Sequence, residues 1–136
     1  MIGVMAHQFS TAYRNALLDQ YEVVVGTSAI LTIRTGAQPA DCATANSGTV
    51  LATINLPSDW MAAAASGSKG KSGTWQDLIA DASGAIGHFR IHDSTGTTCH
   101  HQGTAGLSGD LVTDASTTTA GQTVNVNGFT LTAPGA

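Results

Sequence analysis

With 136 residues, 10% of them charged, two cysteines and a net charge of -4, the chain has the size of one domain that can bury a core without a covalent staple. Its five Lys and Arg are spread along the sequence, so no basic stripe is offered to phosphates and direct nucleic-acid binding is not expected. No run approaches the ~20 apolar residues of a membrane span, and Met1 to Met5 lacks the basic start and apolar core of a signal peptide, so synthesis and assembly are expected in the cytosol. A surface poor in charge is cheap to desolvate against another protein, which favours a subunit of an assembly over a freely diffusing enzyme.

Residues 1-8 read as an N-terminal extension and 9-136 as a single domain. The helical stretch, 10-25, places Tyr13, Ala16, Leu17, Tyr21 and Val24 at three- and four-residue spacing. Ser10 or Thr11 can cap its start and Gly26 can end it, and the expected role of this face is to cover the chain's own sheet or meet a neighbouring subunit. Ala29 to Thr35 then reads as a strand with Leu31 and Ile33 inward, Thr32 and Arg34 outward. Residues 37-48, AQPADCATANSG, are a loop by their Pro, Asp, Asn and Gly content. Thr49 to Leu56 alternates as a strand ended by Pro57, Trp60 to Ala65 is a short strand, and Ser66 to Gly73 is a flexible basic loop. For Thr74 to Ala80 a strand and a helical turn fit equally.

The clearest strand signal lies in Gly84 to Gly103, GAIGHFRIHDSTGTTCHHQG, which reads as a β-hairpin. Period-two alternation sends Phe89 and Ile91 to the core and His88, Arg90 and His92 to the outer face. Asp93 to Gly96 suits a type I turn followed by a left-handed glycine. A three-residue loop pairs Asp93 with Thr97, puts Cys99 opposite Ile91 on the core face and sets His100 opposite Arg90; a two-residue loop would swap the faces. Leu107 to Thr113 gives another short strand and Ser116 to Gln122 a Thr-rich connection. In Thr123 to Thr132 the apolar parity slips between Val126 and Phe129, which predicts a β-bulge at Asn127-Gly128. The expected class is therefore mainly β, a two-sheet antiparallel sandwich of jelly-roll or Greek-key type with one N-terminal helix.

Chemical motifs are weak. ASGSKGKS, residues 65-72, resembles a phosphate-binding loop only by chance, since no buried strand precedes it and no helix follows. His88 and His92 lie about 13 Å apart along one strand and cannot share a zinc. No catalytic, cofactor-binding or metal-ligating residue is assigned, and no enzyme activity is expected. In a reducing cytosol Cys42 and Cys99 are expected as buried thiols, with a disulfide between them as the alternative. Trp60 and Trp75 read as core or interface anchors, with a sugar-stacking platform as the competing use.

Taken together, FSTAYRNALLD (9-19), LTIRTGAQPADC (31-42), GHFRIHDSTGTTCHHQG (87-103) and QTVNVNGFTLTAPG (122-135) resemble a group of small structural proteins of tailed bacteriophages and prophages. The resemblance implies a non-enzymatic β-sandwich of the virion, assembled in the bacterial cytoplasm. Its expected role is to decorate or cement the head, alternatively to serve in the neck or tail; a carbohydrate-binding module is the remaining reading. The implied partners are further copies of the chain and other virion proteins, the major capsid protein or neck and tail proteins among them. The expected contact residues are Phe9, Tyr13, Leu17 and Tyr21 on the helix side and His88, Arg90, His92 and His100 on the hairpin.

Overall fold

A computed structural model describes residues 7-136, so residues 1-6 of the expected extension lie outside the described residues. The helix α1 spans Thr11–Val25. Ser10, in extended backbone, caps it by accepting the Tyr13 N–H at 3.1 Å, and Gly26 ends it at a φ of 86° that favours glycine.

Ten strands follow: β1 (Ile30–Arg34), β2 (Val50–Asn55), β3 (Ser68–Gly70), β4 (Gln76–Asp77), β5 (Gly84–Ala85), β6 (His88–His92), β7 (Cys99–Gly106), β8 (Leu111–Thr113), β9 (Thr117–Thr118) and β10 (Val124–Thr132). The main sheet runs β2-β1-β6-β7-β8-β10-β3 with β4 also on β10, while β5 and β9 form a separate ribbon. All pairings are antiparallel except β7 with β8.

The expected class, mainly β and sandwich-like with one helix, is what forms. Its two layers are largely halves of one sheet, as the aromatic core makes plain. Phe89 on β6 and Phe129 on β10 are separated by β7 and β8, which in a flat sheet would hold them about 14 Å apart. Their rings meet edge to face at 5.6 Å, so the sheet curls until its own inner face closes on itself. Leu31, Ile33, Ala52, Ile54 and Ile91 line one side of this core, Leu111, Val124 and Val126 the other, with Trp60 and Trp75 between.

Several local expectations are corrected. The supposed loop 66-73 contains β3: Ser66 and Gly67, with φ of 53° and 73°, make a two-residue hairpin turn, and Lys69 is buried in the strand. Trp60 to Ala65 contributes only isolated bridges at Met61 and Ala65. The Thr-rich connection 116-122 holds β9, and Leu107 belongs to a turn before β8. The bulge between Val126 and Gly128 lies where the parity slip places it.

In the central hairpin Gly96 is left-handed as expected, φ 73°, but the loop is longer than three residues. Asp93 N–H donates to Thr98 O at 3.1 Å, His92 pairs with Cys99, and a bulge at His100 brings His101 opposite Ile91. Cys99 therefore sits beside the outer-face residue His92, and His101 takes the core position assigned to it. Asp93 stabilises the longer loop by accepting from the Thr95 N–H at 3.1 Å.

Candidate functional site

Two surfaces gather the residues singled out in the sequence. The first is the outer face of β1, β6 and β7. Cross-strand partners share a face, so Thr32, Arg90 and Gln102 form one row and Arg34 and His88 the next. Alternation had placed these side chains outward, and they are on that side, but they are not a contact surface. His88, Arg90 and His92 are 0, 1 and 2% exposed; residues 37-48 fold back over Arg90, and Gly36 just before them meets His88. Of the expected hairpin contacts only His100 is partly open.

This cover is polar. Arg90 donates to Asn46 Oδ1 at 2.6 Å and to the carbonyls of Asp41 and Cys42 at 3.1 and 3.0 Å. Gln102 Nε2 donates to Pro39 O at 2.7 Å, and His88 Nδ1 donates to Gly36 O at 2.9 Å. Cys42 of the cover and Cys99 of β7 are joined in a disulfide, Cα to Cα 5.3 Å, the alternative to the buried thiols. The outer location of Cys99, created by the His100 bulge, is what lets it reach Cys42.

Electrostatically the covered face is mainly cationic, with Asp41 of the cover acting on Arg90 and Asp93 of the hairpin loop on His92 from beyond pairing distance. The ion pairs among the described residues all belong to Lys69, so no carboxylate lies within pairing distance of Arg34 or Arg90. Burial, and then the Arg90 charge, lower the Arg34 pKa; burial followed by Arg90 and Arg34 lowers that of His92. Arg34 Nε donates to Thr32 Oγ1 at 3.0 Å, and since Thr32 is paired with Arg90, this bond draws the two guanidinium groups together.

The second surface is α1, which turns a side of mixed polarity to the sheet and leaves Tyr13 and Leu17 of the apolar stripe outward. Successive residues turn by about 100°, which puts Arg14, Asn15, Leu18, Asp19, Glu22 and Val25 on one side. That side faces the sheet. Arg14 donates to Ala133 O at 2.9 Å, Asn15 Oδ1 accepts the Gly67 N–H at 2.8 Å, and Asp19 Oδ1 accepts the Ala64 N–H at 2.9 Å. Lys69 Nζ lies 2.7 Å from Asp19 Oδ1 and 2.6 Å from Glu22 Oε1. A Cβ at Gly67 would lie 2.4 Å from the Arg14 guanidinium and push it from its place, and the φ of 73° there favours glycine.

The opposite side of the helix presents Tyr13, Leu17 and Val24, with Ala16, Gln20 and Val23 beside them. All six are exposed and uncharged. Tyr13, Leu17 and Val24 were expected to be the apolar stripe, and they are, but they face away from the chain's own core. Tyr21 is the exception among the expected contacts. It turns inward to share a 2.8 Å hydrogen bond with His101 Nδ1 and packs at 5.3 Å on Trp60. Phe9 is half-buried, its ring tilted against that of Tyr13 at 4.9 Å, and its N–H donates to Gly135 O at 2.8 Å.

Sequence reasoning missed Lys69, His101 and the inward polar side of α1. Arg14, Asn15, Asp19 and Glu22 share three- and four-residue spacing as regular as that of the apolar stripe, and that signal was there to read. Trp60 and Trp75 are each 1% exposed, and their indole N–H groups donate to Gly26 O at 3.2 Å and Ser72 O at 3.0 Å. They are core anchors, and neither ring has a face open to a sugar. No group of three or more His, Cys, Asp or Glu stands in metal-ligating reach among the described residues, and no helix among them is long and apolar enough to cross a membrane. Compared with protein-family models, curated proteins and solved structures, the chain matches none.

Proposed function

We propose that this chain is a structural subunit that works by protein contact rather than by chemistry, and that the exposed face of α1 is the contact. The observation that carries this reading is the orientation of the helix. A free surface helix gains by turning its apolar side to the core, whereas here Arg14, Asn15, Asp19 and Glu22 are spent on inward hydrogen bonds and Tyr13, Leu17 and Val24 are left 50, 43 and 64% exposed. An uncharged stripe of this kind suits a second copy of the same stripe, because two such faces can meet across a two-fold axis without opposing charges. The stripe alone is small for a stable interface, which fits a subunit held in place by several neighbours at once.

On the sequence resemblance, the assembly we propose is a tailed-phage particle, with the chain as a head decoration or cement protein contacting copies of itself and the capsid protein; a neck or tail position is the alternative. Cement action is the burial of surface across coat subunits, which stabilises the bound state by mass action. The test has two parts. Sedimentation of the purified protein should show self-association that Tyr13→Ser with Leu17→Ser abolishes while the circular dichroism spectrum is kept. Purified particles should contain the protein in many copies for a decoration role or in a few for a neck or tail role. A protein that stays monomeric at high concentration and is missing from the particles would overturn the proposal.

A further inference from the structure

The cover over the cationic face is a separate layer from the core. Residues 37-48 give no side chain to the core: all are exposed except Pro39 and Cys42, which are half-buried. The segment closes on itself at its base, where Thr35 N–H donates to Thr49 O at 3.1 Å and Thr49 N–H to Thr35 Oγ1 at 2.9 Å. Gly36 and Gly48, with φ of 78° and 72°, make the turns that flank it. What holds it down is the Arg90 fork, the single Gln102 bond and the Cys42–Cys99 disulfide, and both cysteines are partly open to solvent.

Beneath lie Arg34, His88, Arg90 and His92, none more than 8% exposed. The acceptors the cover supplies to Arg90 are an amide oxygen and two backbone carbonyls, all neutral. Among the described residues His88 Nε2, Arg90 Nε and the acceptor Gln102 Oε1 are buried without a protein partner, although an unpartnered buried polar atom costs about 1–3 kcal/mol. Arg34 and Arg90, whose side-chain hydrogen bonds go only to neutral acceptors while the Asp41 carboxylate of the cover acts on Arg90 from beyond pairing distance, form a site whose chemical complement is a tetrahedral oxyanion bearing two charges, with His88 and His92 two residues to either side of Arg90 on β6. We propose that this face binds phosphate when the cover lifts, and that the disulfide is the latch.

The redox step is thiol–disulfide exchange with a dithiol. A thiolate of the reductant attacks one sulfur of the Cys42–Cys99 bond, its second thiol closes the reductant's own disulfide, and two electrons and two protons leave both protein cysteines as thiols. The core does not depend on the latch, because β1, β2 and β6 are paired through their own backbones. Reduction therefore frees the cover while the sheet persists.

The experiment compares oxidised protein, protein reduced with dithiothreitol, and a Cys42→Ser, Cys99→Ser variant that needs no reductant. Each is titrated with inorganic phosphate by calorimetry at constant ionic strength, alongside hydrogen exchange of residues 37-48. The expected result is no binding to the oxidised form, binding to both unlatched forms with faster exchange confined to 37-48, and at least about tenfold weaker binding after Arg90→Met in the unlatched background. Equal binding to oxidised and reduced protein would overturn the proposal. So would unchanged protection of 37-48 on reduction, an opened cover that binds no phosphate, or loss of the near-ultraviolet aromatic signal showing that reduction melts the sheet.

Discussion

Replacing Lys69 by Met tests what fastens α1 to the sheet. The ammonium is on a side chain 1% exposed, whereas its acceptors Asp19 and Glu22 stand at the rim, their side chains 44 and 26% exposed. Two charged hydrogen bonds are worth a gross ~3–6 kcal/mol, and burying an ammonium costs several kcal/mol, which cancels most of that gain. The rim position decides the remainder. In Lys69→Met both carboxylates regain water, so the penalty of a stranded buried charge does not arise, and Met fills the space of the aliphatic stem. The expected loss is about 1–2 kcal/mol at pH 7, read by urea unfolding with an unchanged m-value.

The pH dependence gives a second reading of the same clamp. The hydrogen bond from Lys69, and then that from the Ala64 N–H, hold the Asp19 carboxyl below its usual range. Its contribution is complete above a pH of about 4 and is lost as pH falls below that. Burial opposes the Lys69 charge, but the hydrogen bonds it donates to Asp19 and Glu22 outweigh it and raise the pKa, so that contribution is lost only as pH rises beyond about 10.4. Lys69→Met should flatten the acid limb. The opposite deletion, Asp19→Asn with Glu22→Gln, should cost more, because the ammonium stays behind without a carboxylate. A Lys69→Met protein as stable as the wild type at pH 7 with the same acid limb would refute this account of helix docking.

Four further outcomes are expected. Reduction of the disulfide, which closes a separation of 57 residues, should lower global stability by about 4 kcal/mol in the chain-entropy treatment, checked by urea unfolding with and without dithiothreitol. Trp60→Ala should cost about 3–5 kcal/mol as a core truncation, measured by the same unfolding, and glycan arrays should show no binding by the wild type for it to abolish. Gly87→Ala should cost about 3 kcal/mol, since a Cβ there would lie 2.1 Å from Gly36 O; thermal unfolding checks it. Burial first of all lowers the pKa of both His92 and His101, so each favours the neutral form in the folded state and stability should fall as pH drops below about 6.5. His92→Gln with His101→Gln should remove that slope in denaturation curves taken between pH 5 and 7.

Much of the fold was legible because it depends on periodicity. The inward parity of Leu31, Ile33, Phe89 and Ile91, the cap at Ser10, the left-handed Gly96 and the bulge near Gly128 follow from rules that act within a few residues. The candidate surfaces were legible only in part. Tyr13 and Leu17 were read as contacts and are exposed, yet Tyr21, one turn further on, is tied into the core by His101. His88, Arg90 and His92 were assigned the correct face and the wrong environment, since alternation reports which side of a strand a residue occupies and cannot report what is folded over that side.

What the sequence by itself determined is therefore local: where strands and turns fall, which residues share a face, and that the class is mainly β with one helix. Tertiary structure alone decided that the sheet curls until Phe89 meets Phe129, that α1 turns its charged side inward to satisfy Lys69 and the backbone of the β3 hairpin, and that residues 37-48 close over the cationic face. Each of these depends on partners dozens of residues away. The free energy that settles them comes from burying apolar rings and matching buried donors to acceptors across the fold, and neither quantity is written in the spacing of neighbouring residues.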